Sequence, residues 1–413
     1  MASKALQITY TPQLKECTIP LPSSKSESNR ALIIQALCSD TCELLNLSPA
    51  RDTQTMIRLL KSEDETLDVL DAGTTMRFLT AYLSVSRKMK TLTGTDRMKQ
   101  RPIGLLVDAL RNVGAEIEYL EKEGFPPLAI KGLHEQSNIS ISIRGDVSSQ
   151  YISALLMVAP CLPKGLHLQL TGKIGSRPYI AMTLQMMAHF GVQADWQENE
   201  IHIAPQAYKG NSYTIESDWS AASYWYAFAA LKEGSEEIFL SGLRKDSWQG
   251  DNAIVGMMHI LGVASVFQPD GVRLIPIPAR QGEFHFDFSD CPDLAQTMAV
   301  VCAAKGRKAF FTGLESLRIK ETDRIAALQT ELAKISARLE ESQEGQWTLF
   351  PCENEDWKKE TLHIATYEDH RMAMAFAPLC TQANLEIENP EVVNKSYPGF
   401  WKDVEQAGIH LTY

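Results

Sequence analysis

The sequence predicts an α/β protein of two domains, each built from three repeated units with buried helices inside and sheets outside. Three observations carry this. At 413 residues the chain exceeds the size at which one hydrophobic core stops growing, so two domains are expected. Six segments begin with a polar or acidic cap and continue with small and apolar residues on every face, the pattern of buried helices. A second kind of segment recurs between them: a β-like run, a Gly turn, a polar loop and an amphipathic helix.

The buried-helix set is "SKSESNRALIIQALC" from Ser24, "DAGTTMRFLTAYLSV" from Asp71, "SSQYISALLMVAPCL" from Ser148, "DWSAASYWYAFAALK" from Asp218, "CPDLAQTMAVVCAAK" from Cys291 and "EDHRMAMAFAPLC" from Glu368. The second set includes "TLTGTDRMKQRPIGLLVDALRNVGAEIEYL" and "FFTGLESLRIKETDRIAALQTELAKISARL". Its Gly turns at 94, 172, 242 and 313 are separated by 78, 70 and 71 residues. Six βαβαββ-type repeats, three per domain, follow. Lys25 and Gly73 are only 48 residues apart, which leaves little room for a hairpin, so the first repeat is expected to be truncated.

The composition, 44% hydrophobic and 22% charged, is that of a globular protein. A net charge of −11 without a basic stripe argues against nucleic-acid and anionic-membrane partners. The N-terminus lacks a signal-like apolar run and no stretch approaches 18 apolar residues, so a cytoplasmic location is expected. The eight cysteines, at 17, 38, 42, 161, 291, 302, 352 and 380, have no zinc spacing and read as reduced core residues, with Cys38 and Cys42 the one close pair. The sequence has no GxxxxGK[ST], GxGxxG, HExxH or GxSxG, which disfavours nucleotide, nicotinamide and metal-dependent chemistry; no metal and no cofactor are expected.

Any bound anion must therefore meet local cations. Helix N-termini supply unpaired N–H groups and a partial positive charge, and these helix starts carry matching side chains. Lys25, Ser26 and Arg30 head the first; Thr74, Thr75 and Arg77 the second; Ser148, Ser149 and Gln150 the third; His370 and Arg371 the sixth. The loops add Arg101, Ser176, Lys320, Arg324 and Lys395. The ligand class this implies bears phosphate and carboxylate, which Arg grips bidentately. Two acids break the cationic pattern. Asp293 can be read as a helix N-cap and Glu321 as the i+3 partner of Arg324. An acid/base role for the pair requires that both face one place.

The stretches "SKSESNRAL", "AGTTMRF", "RMKQRPIG", "SSQYISALLM", "SRPYI", "ESDWSAASY", "LRIKETDRI", "EDHRMAMA" and "KSYPGF", in this order, resemble the signatures of the 5-enolpyruvylshikimate-3-phosphate synthase family. The resemblance implies a two-domain inside-out α/β barrel, with one domain over residues 22–215, the other over 1–21 plus 216–413, and the active site in the inter-domain cleft. It implies transfer of the enolpyruvyl group of phosphoenolpyruvate to the 5-hydroxyl of shikimate 3-phosphate, with these two molecules as partners and a monomeric chain. Carried over by position, Ser26, Arg30, Ser148, Ser149, Gln150, Ser176, Tyr179, Asp293, Ser316 and Lys320 correspond to shikimate 3-phosphate contacts. Lys25, Gly73, Thr74, Arg101, Gln150, Arg324, Arg371 and Lys395 correspond to the phosphoenolpyruvate site. Lys25, Asp293, Glu321 and His370 are the catalytic candidates: Asp293 for the proton of the reacting hydroxyl, Glu321 with Lys25 for the proton at the methylene carbon. Gly73 at the family's inhibitor-contact position implies glyphosate sensitivity.

Three positions depart from the family pattern. Asp71 stands where Asn is usual, Ser316 where some members have Asn, and Ser24 where Gly precedes the lysine. Two alternative readings share the architecture: the sister transferase acting on UDP-N-acetylglucosamine, and a catalytically inactive ligand-binding homologue.

Overall fold

A computed structural model describes residues 5–86, 88–146, 148–351 and 354–413; Cys352 lies outside them. The chain divides into two compact units, Ser24–Ile215 and Met1–Ser23 with Glu216–Tyr413.

In the first unit, three helices occupy the interior: α1 (Lys25–Leu37), α3 (Gly73–Ser86) and α4 (Ser149–Val158), while α2 (Arg51–Lys61) packs on α1 and α3 and α5 (Arg177–His189) on α1 and α4. Two of the three start on the serine caps their sequence offers. Ser24 Oγ accepts from the Glu27 amide and Ser148 Oγ from that of Gln150, satisfying N–H groups that the helix itself cannot pair. Behind these caps the helices have no polar face: Ala31 to Ile34, Phe78 to Thr80 and Ile152 to Val158 are buried, which fits helices surrounded by protein on all sides.

The second unit repeats the plan. α6 (Trp219–Leu231), α7 (Ala295–Ala304) and α9 (His370–Phe376) pack on one another inside it, and α8 (Arg324–Ala333) lies against α7. Asp218, Asp323 and Asp369 cap α6, α8 and α9.

The sheets share one wiring. In Thr66–Asp68, Lys90–Thr93, Leu128–Leu133 and Ala115–Tyr119 the first pair is parallel and the next two antiparallel. The same order holds in the sheet of 140–144, 166–171, 200–203 and 195–197, and in all three sheets of the second unit. The sixth sheet is only the parallel pair, Glu43–Leu45 with Ser212–Thr214. After α2 the chain passes through four residues directly into the strand Thr66–Asp68, with no hairpin between. The short 48-residue step therefore costs this sheet its antiparallel half and leaves the helix starts at Lys25 and Gly73 in place.

No helix among the described residues is long and apolar enough to cross a membrane.

Candidate active site

The first unit carries Lys25, Thr74, Arg101, Ser149, Gln150 and Ser176 of the sequence-predicted set. Lys25, half-buried at the first position of α1, reaches Asp52 of α2 at 3.2 Å, a buried carboxylate whose importance the sequence did not signal. The Asp52 carbonyl in turn accepts from Thr75 Oγ at 3.3 Å, tying α2 to the first turn of α3. In that turn Thr74 Oγ accepts from Gln150 Nε2 at 3.0 Å, which joins the N-termini of α3 and α4. Ser149 opens α4, and Ser176, in the left-handed region at φ 55°, precedes α5.

Arg101 lies against Gly73. A Cβ built on Gly73 would come 2.7 Å from one terminal guanidinium nitrogen and 2.9 Å from the other, so this approach exists because the helix starts with glycine. Arg101 is 9% exposed, its Nε is buried without a hydrogen-bond partner, and no carboxylate pairs with it among the described residues. A buried cation without a counter-charge is costly unless an anion completes it. Arg77, by contrast, is spent on structure: it donates to the carbonyls of Gly73 and Pro102 and so holds the chain that carries Arg101.

Arg30 is also turned inward. It donates to Thr183 Oγ at 2.7 Å, Ser153 Oγ at 2.9 Å and the Ser26 carbonyl at 2.9 Å, and it lies 5.9 Å from the Tyr179 ring. Burial among neutral partners lowers its pKa to about 10. Three of its five N–H donors are thus committed inside the unit.

The second unit gathers acids and arginines. Arg324, 2% exposed at the start of α8, donates to Asp369 at 2.6 Å, Glu321 at 3.0 Å and Asp293 at 3.1 Å. Burial opposes its charge, but Asp369, Glu321 and Asp293 outweigh that and raise its pKa. Arg371 takes the other oxygen of Asp293 at 2.6 Å and also donates to Tyr224 OH at 3.2 Å and Ser220 Oγ at 3.4 Å. Lys395, buried, approaches Glu321 at 3.5 Å.

The two acids singled out in the sequence are therefore held by one guanidinium. Asp293 is no helix cap: it sits in a 3-10 turn, Pro292–Leu294, and α7 has no side-chain cap bond. Its oxygens serve Arg324 and Arg371 instead. His370 is buried at the first position of α9, 3.5 Å from Asp369. Ser316 and Lys320, both half-buried, lie on and just after the turn Glu315–Ile319.

Sequence reasoning passed over Asp369, Ser220 and Asp251. Asp369 both caps α9 and pairs with Arg324, and only the first role has a local signal. Ser220 donates a very short hydrogen bond to Asp251, whose carboxyl is pushed up to about 7 by burial and by the charge of Asp293. Among the described residues no cluster of His, Cys, Asp and Glu is suited to a metal ion.

The family model for EPSP synthase (3-phosphoshikimate 1-carboxyvinyltransferase) matches residues 11–62 and 59–404. A 3-phosphoshikimate 1-carboxyvinyltransferase of Bacteroides fragilis is 50% identical over 403 residues, covering 97% of each chain. One from Cellvibrio japonicus is 38% identical over 94% of this chain and 96% of its own. Among solved structures, the EPSP synthase of Acinetobacter baumannii shares the fold, with a TM-score of 0.78 at 19% identity over 99% of this chain and all of its own. With the signature residues on the helix starts of both units and relatives matched nearly end to end, the chain belongs to the EPSP synthase family.

Proposed function

We propose that the chain transfers the enolpyruvyl group of phosphoenolpyruvate to the 5-hydroxyl of shikimate 3-phosphate, releasing phosphate, a step toward chorismate and the aromatic amino acids. The observation that carries this reading is the pairing of Asp293 and Glu321 on the buried Arg324, with Arg371 and Lys395 beside them. Two carboxylates held rigidly by cations suit a reaction that needs two proton transfers and no cofactor.

In the first step the 5-hydroxyl oxygen bonds to C2 of phosphoenolpyruvate as its proton passes to Asp293 and a proton is delivered to C3. The product is a tetrahedral intermediate. In the second step the C2–O bond to phosphate breaks while C3 loses a proton, which restores the double bond. We assign the C3 proton to Glu321 and, on the family resemblance, to Lys25. Arg101, Arg324, Arg371 and Lys395 are assigned to the carboxylate and phosphate of phosphoenolpyruvate, with Gly73, Thr74 and Gln150. Ser26, Arg30, Ser148, Ser149, Gln150, Ser176, Tyr179, Ser316 and Lys320 are assigned to shikimate 3-phosphate. His370, buried beside Asp369, is assigned to the catalytic set by position in the motif. The free cysteines at 17, 38, 42, 161, 291, 302 and 380 suit the reducing cytoplasm, where we place the reaction.

The test is a coupled phosphate-release assay. Release that requires both phosphoenolpyruvate and shikimate 3-phosphate, and that glyphosate suppresses in competition with phosphoenolpyruvate, is the expected result. Release with UDP-N-acetylglucosamine as acceptor, or none with either acceptor, overturns the reading. Activity unchanged by millimolar glyphosate counts against the assigned phosphoenolpyruvate pocket.

A further inference from the structure

Asp71 lies two residues before Gly73, in the turn that leads into α3, and so adds a carboxylate at the place where an anion is to bind. The turn is fixed: the Ala72 amide bonds to the Val69 carbonyl and the Met76 amide to that of Ala72. The first turn of α3 offers unpaired N–H groups to an anion, and Arg101, buried against Gly73 and uncompensated, points to the same requirement. A free carboxylate at residue 71 would repel such an anion and compete for the helix N-terminus.

The structure answers with Arg51. Its terminal nitrogen donates to both oxygens of Asp71, at 3.0 and 2.9 Å. Arg51 is the first residue of α2, and its neighbour Asp52 pairs with Lys25. Two consecutive residues of opposite sign thus neutralise one charge each, Arg51 at the entry to α3 and Asp52 at the head of α1.

We propose that Arg51 is a specificity-determining residue for phosphoenolpyruvate, acting through Asp71 without touching substrate. This rests on the function proposed above. The side chains are 49% and 31% exposed, so neither is part of the core and their loss should cost the fold little. What Arg51 removes is the repulsion of one carboxylate toward an incoming anion.

The experiment measures both Michaelis constants by phosphate release at low ionic strength for the wild type, Arg51→Ala, Asp71→Asn and the double variant. Arg51→Ala should raise KM for phosphoenolpyruvate by about fourfold, the size expected of one screened charge several ångströms away. The KM for shikimate 3-phosphate should move much less and kcat should hold. Adding Asp71→Asn should restore KM, because the charge to be masked is gone, and the Arg51→Ala effect should shrink in high salt. A rise of both KM values by the same factor, or no rescue by Asp71→Asn, overturns the proposal and leaves the pair merely structural. Asp71→Asn alone, which changes charge without volume, keeps the test sound if Arg51→Ala folds poorly: a raised KM for phosphoenolpyruvate there also overturns it. A wild-type chain that turns over neither substrate overturns the function reading, and the role of Arg51 with it.

Discussion

In the unit that contains residues 216–413, Arg324 and Arg371 end on Asp293, Glu321 and Asp369, whereas in the unit 24–215 Arg101 reaches no carboxylate among the described residues. Arg30, in that same unit, is buried against hydroxyls and a carbonyl. One unit holds its arginines in a closed network with acids, and the other pairs Lys25 with Asp52 but leaves Arg101 to be completed. The difference follows from what each must do in the proposed reaction. The acids assigned to proton transfer gain from orientation fixed before substrate arrives; Arg324, Arg371 and Lys395 are already shared with those acids, whereas Arg101 has no carboxylate to give up when an anion binds.

The largest effect expected of breaking the closed network is on chemistry. Asp293→Asn keeps the shape of the side chain but removes its ability to take a proton, and kcat should fall by about a thousandfold, or about 4 kcal/mol of transition-state stabilisation. Steady-state phosphate release measures it; a kcat within a few-fold of wild type would remove Asp293 from the mechanism.

Asp369→Asn tests the network as structure. An Asn can still cap α9, so the change isolates the buried charge facing Arg324 at 2.6 Å. Removing one partner of a buried pair costs about 3–5 kcal/mol. The lower end is expected because Asp293 and Glu321 remain on the same guanidinium. A thermal melt should show a drop of about 6–12 °C; an unchanged Tm would mean that Arg324 is compensated without Asp369.

Asp251→Asn sharpens the picture through pH. The Asp251 carboxyl is raised to about 7, first by burial and then by Asp293, with Asp218 adding to the rise and Arg371 and Ser220 opposing it. Cys291 also senses its charge. The folded chain thus keeps a proton that the unfolded chain loses near pH 4. Between about 4 and 7 the folded state binds more protons, so this group makes stability fall as pH rises, by up to about 1.4 kcal/mol per unit, and the loss levels off above 7. Asn cannot titrate, and it still offers an acceptor to Ser220 Oγ. The variant should flatten that slope in melts taken across the window; an identical slope would place the titration elsewhere.

The fold was legible because its signals are local. Caps at Ser24, Ser148 and Asp218 precede helices apolar on all faces, and short Gly turns end the strands. The short first sheet could be foreseen because chain length is also local: 48 residues between two helix starts do not hold a hairpin as well. The acid–arginine network was not legible in this way. Asp293, Glu321, Arg324, Asp369 and Arg371 belong to three separate segments, and which oxygen meets which nitrogen is decided by packing of α7, α8 and α9. The only local signal at Asp52 is that of an acid in a first helical turn, favoured there by the helix dipole, and Asp251, in the 3-10 turn Gly250–Ala253, has no periodic pattern around it. The electrostatic departure at Asp71 was visible, but its partner Arg51 was not, because nothing in the spacing of 20 residues brings the two together.

The smallest of these effects probes the open unit. Gly73 has helical backbone geometry, so alanine fits its conformation and should stabilise α3 by up to about 1 kcal/mol. The added methyl, however, comes 2.7 and 2.9 Å from the terminal nitrogens of Arg101 and 3.0 Å from its Cζ. The backbone does not have to move, since the atoms in the way are the end of a flexible side chain, so the guanidinium shifts instead. Gly73→Ala should therefore leave Tm unchanged or slightly higher while KM for phosphoenolpyruvate rises about tenfold, or about 1.4 kcal/mol. The KM for shikimate 3-phosphate should stay within about twofold, as Arg101 is assigned to phosphoenolpyruvate alone. A lower Tm with both KM values raised together would show that Gly73 serves the packing of the helix and that Arg101 is not held ready for an anion.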